Sequence, residues 1–119
     1  MDIAKLRRLA EEEIDLAVNM AQAMIRVPSV SGSEAEMAAL TQKYMLELGY
    51  DEVTVDEAGN VLGLMRGNGK GRSIMFNCHL DTVAAGDESM WKYPPFSGAV
   101  ADGRIWGLGA SDTKGAFAC

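Results

Sequence analysis

The chain has 119 residues, one ordinary domain's worth, and is 48% hydrophobic, enough for a core of moderate size. Its net charge of -6 and isoelectric point near 4.7 argue against nucleic acid or an anionic membrane surface as a partner, because both select clustered Lys and Arg. Two cysteines, Cys78 and Cys119, make no disulfide framework and fit a reducing compartment. The N-terminus lacks a signal-peptide pattern and no apolar run approaches the roughly 18 residues of a membrane span, so the cytoplasm is the expected location.

Residues 3 to 26 are predicted as one amphipathic helix, with Ile3, Leu6, Ala10, Ile14, Ala17, Val18, Ala21 and Ile25 at spacings of three and four. Lys5, Arg7 and Arg8 sit beside Glu11, Glu12 and Glu13, the pattern of a solvated helix face. Pro28 ends the helix, and Val30-Ser31-Gly32 is a loop. Ser33 begins a second helix, with Glu36 completing a capping box. Met37, Leu40, Tyr44 and Leu48 form its buried stripe, and Gly49 supplies a left-handed stop. The methionines of both helices read as core fillers.

From residue 52 the period changes. Val53 and Val55 alternate with polar neighbours, Gly59-Asn60 makes a turn, and Val61 to Met65 is a second strand. Gly67-Asn68-Gly69-Lys70-Gly71 is glycine-rich and holds a lysine, but it lacks phosphate-loop spacing and leads into a strand, so a plain loop is expected. Ser73 to Cys78 reads as a buried central strand with His79 to Asp81 at its C-terminal end, where ligands collect in open α/β sheets. Residues 84 to 98 form a loop holding Trp91, Tyr93 and Phe96, which either line a pocket or, by preference, pack on their own sheet. Asp102-Gly103 turns a small hairpin between Ala99-Val100 and Arg104 to Trp106, and Lys114 starts a further helix. The expected fold class is α/β.

The candidate site centres on His79, the only histidine, with Asp81 two residues on and Asp112 thirty-three residues after it. Imidazole with carboxylate is a ligand pair suited to zinc. On an extended segment His79 and Asp81 share a face. Either both bind one metal, or Asp81 takes a hydrogen bond from the ring nitrogen away from it; the second is preferred, because an i,i+2 chelate on a strand is awkward. A histidine beside a carboxylate is more often a satisfied polar pair than a ligand, and an aspartate in a glycine-rich loop more often a turn or cap residue. The joint placement of the two segments shifts the balance toward a site.

Cys78-His79-Leu80-Asp81-Thr82-Val83, then Gly86-Asp87, Trp91, Pro95-Phe96, Asp102-Gly103 and Gly107-Leu108-Gly109-Ala110-Ser111-Asp112-Thr113-Lys114-Gly115, resemble the zinc-dependent amidohydrolase and peptidase family of acetylornithine deacetylase, succinyl-diaminopimelate desuccinylase, aminoacylase and the glutamate-releasing carboxypeptidases. Val27-Pro28-Ser29-Val30-Ser31-Gly32 and Gly59-Asn60-Val61 agree with it upstream, so the resemblance runs from about residue 10 to the end. It implies that His79 binds one zinc, that Asp81 belongs to the catalytic machinery by orienting the histidine, and that Asp112 bridges two metals, with a cis peptide after it. It further implies two zinc ions per complete site (cobalt or manganese also being usable), hydrolysis of the amide bond of an N-acyl amino acid or small peptide, and a homodimer.

On that resemblance residues 1–119 are the N-terminal part of a mixed-sheet catalytic domain, cut before its remaining strands, its general-base glutamate and its lid or dimerisation domain. The isolated chain is then expected to be inactive. The alternative is a truncated, non-catalytic metal-binding or interaction fragment. Cys78 stands where glycine is commonest, Ala84 where proline is frequent, Leu108 where arginine is frequent and Thr113 where methionine is common; none of these removes an expected ligand. Cys78 is expected to point away from His79 as a small buried residue.

Overall fold

The computed structural model describes residues 2–69 and 71–119. Its elements in chain order are helices α1 (Ile3–Glu12), α2 (Ile14–Ile25) and α3 (Ala35–Glu47), strands β1 (Glu52–Val55) and β2 (Val61–Leu64), a single 3₁₀ turn (Glu88–Met90), strands β3 (Ala99–Ala101) and β4 (Arg104–Trp106), and the short helix α4 (Gly115–Ala118). β1 pairs antiparallel with β2 and β3 with β4, giving two separate hairpins. The chain divides into two compact units. One runs to Val27 and resumes at Ala84–Cys119; the other is Pro28–Val83.

In the first unit, α2 supplies the core. Met20, Ala21, Met24 and Ile25 are buried, and α2 packs on β4, on the turn Ala110–Lys114 and on α4. Gln22 Nε2 donates to the Gly98 carbonyl at 2.7 Å and Arg26 Nε to the Ser97 carbonyl at 3.2 Å, fixing the loop before β3 against the helix. Gly107 lies so close to α2 that a Cβ there would strike the Ile25 side chain and come within 2.9 Å of the Pro95 carbonyl oxygen. The β3–β4 turn meets expectation: Asp102 (φ 55°) and Gly103 (φ 69°) both take the positive φ of a tight two-residue hairpin.

The single helix expected over residues 3–26 is two. It breaks at Glu13 (φ -97°, ψ 1°), and α1 buries none of its residues. Its apolar stripe is exposed, from 73% at Ile3 to 43% at Leu9. An amphipathic pattern continues a helix only where its apolar side has something to cover. α1 is held at its start by the Asp2 side chain, which accepts from the Ala4 N–H at 3.0 Å.

In the second unit, α3 packs on both strands of the β1–β2 hairpin. Met37, Ala38 and Thr41 are buried, whereas Leu48 is 43% exposed, so the predicted stripe holds at its N-terminal end. The helix stops at Gly49, φ 79°, as expected. The capping box does not form. The helix starts at Ala35 with no side-chain cap, and Glu34, not Glu36, reaches back, accepting from the Gly32 N–H at 2.6 Å.

The largest departure is Ser73 to Cys78. No strand forms there, and Ile74, Met75 and Phe76 are 80%, 87% and 92% exposed. An apolar run becomes a buried strand only when neighbours satisfy its backbone on both edges and cover both faces. Among the described residues none does so for this run. Lys70, on which the phosphate-loop comparison turned, lies outside the described residues.

Candidate metal and catalytic site

Behind the exposed run the chain re-enters ordered contacts. Thr82 forms a parallel bridge with Val30. Its N–H donates to the Ser29 carbonyl at 2.7 Å, and its carbonyl accepts from the Ser31 N–H at 3.2 Å. Ser29 and Thr82 are buried, at 0% and 5% exposure, and their hydroxyls have no hydrogen-bond partner among the described residues. Gly32, φ 89°, then turns the chain, with Ser33 N–H donating to the Val30 carbonyl at 2.8 Å. Gly32 stands third in this four-residue turn, where a type II turn requires positive φ.

This bridge fixes His79 and Asp81. His79 Nδ1 lies 2.9 Å from the Asp81 carbonyl oxygen and 3.1 Å from Asp81 Oδ1. Oδ2 of the same carboxylate accepts from the Ser31 hydroxyl. The Ser31 hydroxyl, with His79 behind it, holds the Asp81 carboxyl below its ordinary range, so it is ionised at neutral pH. Both oxygens facing Nδ1 are therefore acceptors only, and Nδ1 must carry the hydrogen. In the neutral ring the lone pair is then on Nε2. A histidine with its Nδ1–H on a carboxylate is the arrangement that metal-ligating histidines adopt.

The Cys78 thiol is free and half-buried, less enclosed than expected. In the first unit, Asp112 occupies a wide turn over Ala110–Lys114, closed by Lys114 N–H on the Gly109 carbonyl at 2.8 Å. Its backbone is extended (φ -134°, ψ 89°) between helical neighbours, its side chain is exposed, and the Asp112–Thr113 peptide bond is cis, as expected. Lys114, expected only as the start of a helix, is 2% exposed and donates from Nζ to the Val27 carbonyl at 2.7 Å. Burial pushes its amine below the ordinary lysine value. Tyr93 packs on Trp106 of β4 with ring centroids 5.4 Å apart, and both Tyr93 and Trp91 also line a cavity, so each expectation holds in part. The cavity is open, about 330 Å³ in volume, and lined in part by Trp91, Lys92, Ile105 and Ser111.

The predicted residues thus divide. His79 and Asp81 meet in the second unit, and Asp112 stands in the first. Among the described residues no group of three or more His, Cys, Asp or Glu side chains is placed to hold a metal ion. The donor chemistry suits zinc, with one imidazole oriented by a carboxylate, while a closed zinc site takes three or four protein ligands.

The description "Peptidase family M20/M25/M40" matches residues 75–119, the stretch that holds His79, Asp81 and Asp112. Over those residues the chain is similar to the M20/M25/M40 peptidase family. A second comparison reaches further upstream. The chain is 37% identical over 97 residues to a succinyl-diaminopimelate desuccinylase of Cereibacter sphaeroides, an alignment covering 80% of this chain and 26% of that protein. The chain therefore spans about a quarter of the length of that relative.

Ser31 and Lys114 are the polar residues whose part sequence reasoning missed. Ser31 was legible as part of Val27-Pro28-Ser29-Val30-Ser31-Gly32, but nothing in the spacing links it to a carboxylate fifty residues away.

Proposed function

We propose that the chain is the N-terminal portion of the catalytic domain of a dinuclear zinc hydrolase, cut before its lid or dimerisation domain. The complete protein would cleave the amide bond of an N-acyl amino acid or a related small peptide, with a desuccinylase-like substrate as the first candidate. The observation that carries this reading is the His79 Nδ1–H on Asp81, inside a segment similar to the M20/M25/M40 family. His79 would offer Nε2 to one metal and Asp112 a carboxylate to both, with cobalt or manganese able to replace zinc. Bound there, the metals would lower the pKa of a water and polarise the scissile carbonyl. Asp81 positions the ring: it holds the tautomer and favours positive charge near Nδ1, which makes Nε2 a better donor. The remaining ligands and the general-base glutamate would come from further residues of the complete protein, which is expected to be a cytoplasmic homodimer. The 119 residues alone are expected to be inactive.

The test uses the full-length protein, stripped with a chelator and reloaded with Zn²⁺ or Co²⁺, and N-succinyl-diaminopimelate beside N-acetylated amino acids. Hydrolysis should vanish on chelation and return with metal. His79→Ala and Asp112→Ala should abolish it, and Asp81→Asn should lower activity or metal affinity by about 10–100-fold. A reloaded protein that cleaves none of these amides would overturn the hydrolase reading. If such a protein still bound zinc through His79, it would be a non-catalytic metal-binding protein.

A further inference from the structure

We propose that Ser31 is a positioning residue for His79, acting through Asp81. The inference rests on the hydrolase reading for its purpose, though not for its geometry. Asp81 has two oxygens and each has its own donor: Oδ1 faces His79 Nδ1, and Oδ2 takes the Ser31 hydroxyl. A carboxylate with one donor can swing about its Cβ–Cγ bond. With two donors on separate oxygens its plane is fixed, and with it the direction in which the imidazole hydrogen must point.

Ser31 is held by its own backbone bond, and the nearby Ser29 and Gly32 are held by one each. Its N–H donates to the Thr82 carbonyl at 3.2 Å, Thr82 N–H donates back to the Ser29 carbonyl at 2.7 Å, and Gly32 N–H donates to Glu34 Oε1 at 2.6 Å. The backbone bridge therefore sets the distance between the serine hydroxyl and the carboxylate before either side chain chooses a rotamer. Stability alone does not account for this segment. The Ser29 and Thr82 hydroxyls beside it are buried and without a hydrogen-bond partner among the described residues, and such groups destabilise by about 1–3 kcal/mol each.

A serine, an aspartate and a histidine in contact also invite comparison with a nucleophilic triad. The connectivity excludes that here. The Ser31 hydrogen goes to the carboxylate and the imidazole does not receive it, so nothing activates the hydroxyl oxygen as a nucleophile. The order of contacts runs from Ser31 to Asp81 to His79 Nδ1. That is a positioning chain for a ligand nitrogen.

The test reads the tautomer directly and needs no activity. The full-length protein is labelled with ¹⁵N-histidine and kept metal-free at about pH 8.5, where an ordinary imidazole is neutral. The His79 signals are assigned by their loss in His79→Gln. The Nδ1–H form should dominate in the unaltered protein. Ser31→Ala should shift the population toward Nε2–H, and Ser31→Thr, which keeps a hydroxyl, should restore it. Zn²⁺ affinity should fall about 10–100-fold in Ser31→Ala and recover in Ser31→Thr, with kcat changing more than KM. Ser31 is exposed, so neither variant disturbs a core. An unchanged tautomer ratio in Ser31→Ala, or an equal loss in Ser31→Thr, would overturn the inference. A normal Nδ1–H signal in a protein without hydrolase activity would instead strike at the hydrolase reading and leave the Ser31 role in place.

Discussion

Asp56 does for the first hairpin what Asp81 does for the candidate site: one carboxylate collects several donors. It accepts from Ala58 N–H at 2.9 Å, Asn60 N–H at 2.8 Å and Asn60 Nδ2 at 2.8 Å. The Asn60 side chain first, and the turn amides with it, hold the Asp56 carboxyl below its ordinary 3.8. A carboxyl lowered in the folded state stabilises that state above its unfolded value, and the effect is lost as pH falls through the folded value. The β1–β2 hairpin should therefore loosen on acidification below 3.8, and Asp56→Asn should remove that step. Amide exchange of residues 52–64 followed across that pH range checks it; an acid step that persists in Asp56→Asn would refute it. This turn was legible in the sequence because its signals are local, with Gly59-Asn60 between the alternating Val53 and Val55 and the strand-like Val61 to Met65. His79 and Asp81 were legible for the same reason, being two residues apart. Ser31 was not, since its partner is reached only through a parallel bridge that no local pattern announces.

Among the elements, hairpins and stops followed the sequence closely and long apolar patterns did not. Asp102-Gly103 dictates its own turn whatever surrounds it. A helix stripe or a buried strand depends on what it is packed against, which is why α1 is exposed and Ser73 to Cys78 is not a strand. The close approach of β4 to α2 is a second kind of feature that local reading cannot supply. Gly107 looks like one more glycine in a glycine-rich motif, yet its φ of 154° and its contact with Ile25 and Pro95 leave no room for a side chain. Gly107→Ala should destabilise the first unit by about 1–3 kcal/mol, the usual effect of overpacking. Urea unfolding measures this, and an unchanged midpoint would show that α2 can give way.

At the scale of the whole molecule, the two metal-ligand candidates belong to different units. Each is tied down within its own unit: His79 by Asp81 and the bridge to Val30, the Asp112 turn by the bond from Lys114 to the Val27 carbonyl. The two ties differ in chemistry, and the second can be timed. An amine that is 2% exposed and hydrogen-bonded to a carbonyl has no accessible lone pair. Towards an acylating reagent, Lys5, Lys43 and Lys92 should react promptly, because all three are exposed. Lys114 should react only when the first unit opens, and mass spectrometry of the labelled peptides would give that opening rate. Prompt labelling of Lys114 would mean that the turn carrying Asp112 is loosely held. Slow labelling would make this lysine a chemical clock for the integrity of the segment that carries Asp112.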